Sequence, residues 1–139
     1  MEDAGADDDY GDDSADAAAV RAVNRAFYDA FEARDLDAMS DVWEHDDRVS
    51  CTHPGWRTLR GWGAVSGSWF ALFGGPSPLQ FILTNEVVAV AGDAAWVTVD
   101  ENLISSDGGG TVAAVNVFLR TGDRWRLVAH HGSAVAPQA

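Results

Sequence analysis

The chain has 139 residues, with no lysine and nine arginines against 22 acidic residues, so its formal net charge is −13. That length fits one domain with a single core, and the lack of a basic patch argues against nucleic acid as a partner. One cysteine excludes an internal disulfide and a paired-cysteine zinc site, and no apolar run approaches the ~18 residues of a membrane span.

Residues 1–16 carry eight acidic side chains and no basic one. Such a run cannot bury apolar surface, so residues 1–15 are expected to form a solvated, disordered leader. The N-terminus has neither the basic nor the apolar region of a secretory signal, which gives a cytoplasmic expectation. From about Asp16 to Ala33, Val20, Val23, Phe27, Ala30 and Phe31 form the stripe of an amphipathic helix, with Ser14 or Asp16 as its N-cap. Asp35 reads as the cap of a short second helix carrying Leu36, Met39, Val42 and Trp43. A short strand over 48–53 ends at His53, where Pro54 biases the preceding residue toward extended geometry. A third helix is expected from Trp62 to Phe73, stopped by Gly74-Gly75-Pro76.

The remainder reads as β, with strands near 79–91, 94–106, 111–121 and 124–135 separated by glycine-rich turns. Helices followed by a meander of long strands predict an α+β domain covering residues 16–136, with the helices on one sheet face. Along 94–106, alternation puts Trp96, Thr98, Asp100, Asn102 and Ile104 on one face and Val97, Val99, Glu101 and Leu103 on the other. The next strand sets Ala114, Asn116 and Phe118 against Ala113, Val115, Val117 and Leu119. The mixed polar and aromatic face is assigned to a pocket. The aliphatic face is assigned to a second subunit, hence a homodimer.

Several segments stand out together: Ala33-Arg34-Asp35-Leu36-Asp37-Ala38, Asp46-Asp47 leading to His53-Pro54, Arg60-Gly61, Asn85-Glu86-Val87 through Ala94-Ala95-Trp96, and the closing Trp125 to Ser133. In this order and spacing they resemble the nuclear transport factor 2-like superfamily, in its SnoaL-like and ketosteroid isomerase-like branch. The closing segment is also similar to the association domain of calcium/calmodulin-dependent kinases, a non-catalytic branch. The resemblance covers about residues 17–135 and implies a cone: a strongly curved antiparallel sheet wrapped around three N-terminal helices, enclosing a pocket, often in a dimer. In ketosteroid isomerase-like enzymes the residue before the proline is the proton-shuttling acid, which here is His53. The oxyanion-binding tyrosine falls at Phe27, the assisting acid at Asn116 and the supporting tyrosine at Trp69. With Thr98, Asp100 and Asn102 assigned to the pocket, the cavity is more polar than the steroid enzyme's, which argues against steroid isomerisation.

His53 reads either as a general base, its ordinary pKa near 6.5 leaving both forms accessible, or as a structural histidine at a turn. Trp56 and Arg57 read as a wall and a countercharge for an anionic ligand, or Arg57 as a surface salt-bridge partner. Asp100 is a second candidate, forming with His53 or His131 a dyad resembling scytalone dehydratase-like hydro-lyases, or serving as a hydrogen-bonded structural carboxylate. Asn102 and Asn116 would orient a substrate oxygen or satisfy each other. Phe27, Trp69, Phe118, Leu127 and His131 are expected along the pocket, with His130 turned toward the dimer face. Cys51 reads as a small buried apolar residue. No close ligand spacing points to a metal, and no cofactor is implied. Two functions compete: a small enzyme transferring protons on a cyclic or polyketide-like metabolite (isomerase, dehydratase or cyclase), and a non-catalytic binding or assembly domain.

Overall fold

The structure is a computed structural model that describes residues 14–76, 79–105 and 108–137. Residues 1–13 of the expected leader lie outside that range. Ser14 is already the N-cap of helix α1 (Ala15–Ala33), its side-chain oxygen accepting from the Ala17 amide at 3.1 Å. Asp35 caps α2 (Leu36–Val42) in the same way. Two short strands follow, β1 (Ser50–Thr52) and β2 (Leu59–Arg60), then α3 (Trp62–Phe73). The long strands are β3 (Gln80–Ala91), β4 (Ala94–Ser105), β5 (Gly108–Thr121) and β6 (Arg124–Ala134).

Among the described residues these strands form one six-stranded sheet in the order β2-β1-β6-β5-β4-β3. Every pairing is antiparallel except that of β1 with β6. The sheet is therefore mixed, because β1 enters beside β6 in the same direction. The helices cover one face and bury Val20, Phe27, Met39, Trp43, Val65 and Trp69 against it. No helix of the described residues is long and apolar enough to cross a membrane.

Two irregularities decide which side chains enter the core. The β5–β6 register jumps between Val117 and Phe118, which face Ala129 and Leu127, so Val128 is an extra residue on β6. A bulge shifts the two-residue alternation by one. Trp125 and Leu127 point inward before it, and His130 and Gly132 point inward after it. The expectation that His131 shares a face with Leu127 is thereby corrected: His131 is exposed and His130 is buried.

A second correction concerns β4. Its alternation is as expected, but the set of Val97, Val99 and the carboxyl-bearing Glu101 is the buried one. Thr98, Asp100 and Asn102 lie on the opposite, outer face with Trp96, which is 42% exposed. Val97 and Val99 pack beneath the helices, the larger gain in buried apolar area, and so cannot serve a dimer face, whereas Val115 of the β5 set is exposed on the outer face.

Candidate functional site

The inner face of the sheet holds a row of buried polar groups. Register places Val97 opposite Asn116, Asn116 opposite His130, and His130 opposite Cys51, so all four strands contribute to one stripe. Helix α1 lays Asn24, Phe27 and Tyr28 over it. The Tyr28 hydroxyl donates to Glu101 Oε2 at 2.6 Å. Asn116 Nδ2 donates to Asn24 Oδ1 at 2.9 Å and to Tyr28 Oη at 3.2 Å. Asn24 Nδ2 in turn donates to Glu86 Oε2 at 2.8 Å, reaching the second bulge, where Asn85 takes a φ of 57°. His130 Nδ1 lies 2.6 Å from Asn116 Oδ1. That oxygen can only accept, so Nδ1 carries the proton.

His53 sits beside this network at the end of β1. Pro54 and Gly55 form the turn, with Gly55 at φ 83° and the Trp56 amide donating to the His53 carbonyl at 2.8 Å. That is the geometry of a type II turn, whose third residue favours glycine. The Pro54 ring lies against Gly132 of β6, where an added Cβ would meet Val112 Cγ1 at 3.0 Å and Pro54 Cγ at 3.3 Å. The missing side chain at 132 thus lets the turn close onto the sheet and fixes where His53 points. Its Nε2 lies 2.9 Å from Ser68 Oγ. The Ser68 hydroxyl donates to the Val65 carbonyl at 2.7 Å, so the proton between them belongs to the imidazole and Nδ1 keeps its lone pair. Trp69 packs edge-on to the His53 ring at 4.8 Å and Trp56 at 4.9 Å.

Burial sets the charge states. His53 is 2% exposed, and desolvation holds its pKa down to about 4. Desolvation, with the charges of His53 and His131, lowers His130 to about 3. Both are neutral imidazoles at pH 7. Glu101 is 3% exposed and is raised to about 7 by burial, against a smaller lowering from the Tyr28 hydrogen bond. Burial and the neighbouring Glu101 push the Tyr28 hydroxyl far above its ordinary value. The same two causes push the Cys51 thiol up to about 12, so it is no thiolate nucleophile. Among the described residues no group of three or more His, Cys, Asp or Glu side chains is arranged to hold a metal.

A sequence profile of the SnoaL-like domain matches residues 20–137. The chain belongs to the SnoaL-like family. It is 39% identical to a protein of Streptomyces avermitilis provisionally assigned as a dehydratase of the NTF2-like family, over 88% of this chain and 97% of that one, with a TM-score of 0.80. It is also 39% identical to a protein of Thiobacillus denitrificans provisionally assigned as a calcium/calmodulin-dependent protein kinase type II association domain, over 84% and 94%, with a TM-score of 0.73. A curated relative, F-box protein SKIP8 of Arabidopsis thaliana, is 31% identical over 117 residues. Those residues are 84% of this chain and 50% of the plant protein, so the chain spans about half of that relative's length.

Within the SnoaL-like domain, the structure brings together some of the expected residues and separates others. His53, Phe27, Trp69 and Asn116 share the interior, as do Phe118 and Leu127 nearer the packing of Trp43 and β6. Trp56 is half exposed at the turn and Arg57 is exposed beyond it. Asp100 accepts from Asn85 Nδ2 at 2.8 Å on the outer face. Asn102 there donates to the Ile82 carbonyl and Thr84 Oγ1 and accepts from Thr111. Thr98 and His131 share that face. Sequence reasoning missed Tyr28, Glu101 and His130. The hydroxyl absent at Phe27 is supplied one residue later by Tyr28. The signal for Glu101 was present: a lone carboxylate in the otherwise aliphatic alternation of Val97, Val99 and Leu103.

Proposed function

We propose that this SnoaL-like domain binds a small molecule in its cone and transfers protons on it without a cofactor. The reaction class is isomerisation, dehydration or cyclisation of a polar cyclic or polyketide-like metabolite. The observation that carries this reading is Glu101. It is a buried carboxyl with a tyrosine hydroxyl as its hydrogen-bond partner and no cationic partner among the described residues. Burying such a group costs several kcal/mol that an apolar residue would spare. A carboxyl poised near neutrality is the form in which it exchanges protons readily.

His53 complements it. At pH 7 it is a neutral base whose Nδ1 lone pair faces only the weakly donating Cys51 thiol at 4.0 Å, able to take a proton from the carbon beside a substrate carbonyl. Protonated Glu101 can then return a proton, to a departing β-hydroxyl that leaves as water or to carbon in an isomerisation. Both amide hydrogens of Asn116 are occupied by Asn24 and Tyr28, so Asn116 acts here by holding Tyr28 rather than by donating to substrate. Ligand entry requires the Trp56 or Trp69 ring to move off His53. The 39% identical relative provisionally assigned as a dehydratase supports the reaction class.

The test is proton exchange in deuterium oxide over a panel of cyclic β-hydroxy ketones and enolisable ketones, followed by NMR. Wild type should incorporate deuterium next to the carbonyl, and Glu101→Gln and His53→Ala should each slow this by about 100-fold or more, the scale of a lost general acid or base. Exchange that is absent from every panel member, or indifferent to both substitutions, sinks the reading. A second reading, an assembly domain, is favoured by the apolar outer sheet face and by the association-domain relative.

A further inference from the structure

Ser68 and Trp69 are consecutive on α3, and both hold His53: the serine hydroxyl lies 2.9 Å from Nε2, and the indole ring stands edge-on at 4.8 Å. Trp69 is 1% exposed. Phe27, Phe31 and Phe73 pack on it at 5.6, 4.8 and 5.8 Å, hydrocarbon rings without an oxygen or nitrogen to offer. Its indole N–H is buried and has no acceptor among the described residues. A buried donor left unmet is uncommon and costly, and a catalytic role is one reason it is kept. The neighbouring donor atoms are already spent. Tyr28 donates to Glu101, Asn116 Nδ2 to Asn24 and Tyr28, and Ser68 to the Val65 carbonyl. The N–H of His53 meets Ser68, and that of His130 meets Asn116. Trp43 also has an orphaned indole N–H, but its ring packs on Trp62 at 6.1 Å. Among the described residues the rings packed on His53 are Trp56, Trp69 and His130.

We infer that the Trp69 indole N–H is the hydrogen-bond donor to the substrate's carbonyl oxygen, and that the substrate is a neutral ketone or aldehyde. The inference rests on the proton-transfer reading and supplies the donor that reading lacks, since both Asn116 amide hydrogens are taken. When His53 Nδ1 takes the proton beside the carbonyl, the C–H bond breaks and an N–H bond forms. The C–H electron pair moves into the enolate and leaves negative charge on oxygen. A donor held rigid in a water-excluded site stabilises that developing charge more than it stabilises the starting carbonyl. An indole donates a hydrogen bond without giving up its proton, so the enolate stays free to be reprotonated or to expel a β-hydroxyl. The substrate class follows from charge. The buried polar residues are Asn24, His53, Ser68, Glu101, Asn116 and His130, and none is a cation at pH 7. A carboxylate or phosphate would be buried there without a countercharge, whereas a single neutral N–H suits delocalised enolate charge. The packing on Trp69 keeps it in place, so the half-exposed Trp56 is the ring that yields on entry.

The experiment titrates the whole chain with pentafluorophenol near pH 6.5, where the phenol is ionised and Glu101 keeps most of its proton. Hexafluorobenzene is the counterpart without the oxygen, and the indole N–H signals are followed by NMR. The phenolate should move the Trp69 signal downfield saturably and leave Trp43 in place. Replacing the Trp69 indole by benzothiophene, which keeps the ring and removes the N–H, should weaken phenolate binding by about tenfold or more. Phe70→Ala, in the groove that Trp69 borders between α2 and α3, should leave that affinity unchanged. In deuterium exchange the benzothiophene variant should lose about 100-fold in kcat with KM nearly unchanged, the scale and signature of one oxyanion donor. Trp43→Phe, which removes the other orphaned N–H, should stay close to wild type. No saturable Trp69 shift, an equal shift with hexafluorobenzene, phenolate binding that depends on Phe70, or exchange that survives the benzothiophene replacement would each overturn the inference. If wild type exchanges no ketone of the panel, the proton-transfer reading fails, and the phenolate titration still decides whether Trp69 holds an oxyanion.

Discussion

Burial acts on Glu101 and on the two interior histidines in opposite pH directions, because it penalises the charged form of each. Unfolded histidines take up protons below about pH 6.5, whereas folded His53 and His130 resist until about 4 and about 3. Their contribution to stability is therefore present above pH 6.5 and lost as pH falls toward 4. Folded Glu101 keeps its proton up to about 7, while the unfolded carboxyl releases it near 4.5. Its contribution is lost as pH rises through that window, opposing the histidines between 4.5 and 6.5. Glu101→Gln keeps an acceptor for Tyr28 and removes the ionisation. We expect it to be more stable than wild type by about 2–3 kcal/mol at pH 8. That advantage should shrink toward zero by pH 4.5, read from urea midpoints at several pH values. An advantage that does not change with pH contradicts the assignment of a raised Glu101. Combined with the expected loss of exchange activity, this is the trade between stability and function typical of a buried acid. At this scale the sequence exposed His53, through the proline after it, and marked Glu101 only as a lone carboxylate in an aliphatic alternation. The alternation does not say whether that face meets the core or water.

The elements around the site were largely legible, and their faces were not. Caps at Ser14 and Asp35, the apolar stripe of α1 and the Gly-Pro stop after α3 are local signals, and the helices run where those signals place them. The extra residue at Val128 carries no such signal, since Leu127-Val128-Ala129 reads as unbroken strand. It nevertheless exchanges His130 for His131 in the interior. The passage of β6 beneath the Pro54 turn gives a test at this scale. Gly132→Ala places a Cβ within 3.0 Å of Val112 Cγ1 and 3.3 Å of Pro54 Cγ. Both neighbours are held by chain geometry, so overpacking should cost about 1–3 kcal/mol. The displaced turn should also expose His53, moving its titration up toward 6.5 in NMR. Wild-type stability together with an unmoved His53 would show that the turn does not depend on this close approach.

For the molecule as a whole, the outer sheet face is the one the helices leave uncovered. Trp96, Ile82, Ile104 and Val115 are exposed on it, interleaved with the hydrogen-bonded Asp100, Asn102 and Thr111. An apolar strip rimmed by satisfied polar groups suits a self-complementary interface. If the assembly reading holds, the wild-type chain sediments as a dimer or larger oligomer. Trp96→Arg should then shift it to monomer at micromolar concentration with its circular dichroism unchanged. A wild-type monomer, or an oligomer indifferent to that substitution, removes this face from consideration. The amino-acid sequence alone determined the α+β class, the order of the elements and the placing of a histidine before a proline at a strand end. Those depend on local periodicity and on backbone preferences that neighbours along the chain impose. Only the tertiary structure decided which face of β4 meets the helices and which histidine of β6 turns inward. Alternation defines two faces without naming them, and the naming comes from register, a one-residue bulge and the apolar area that the helices must cover.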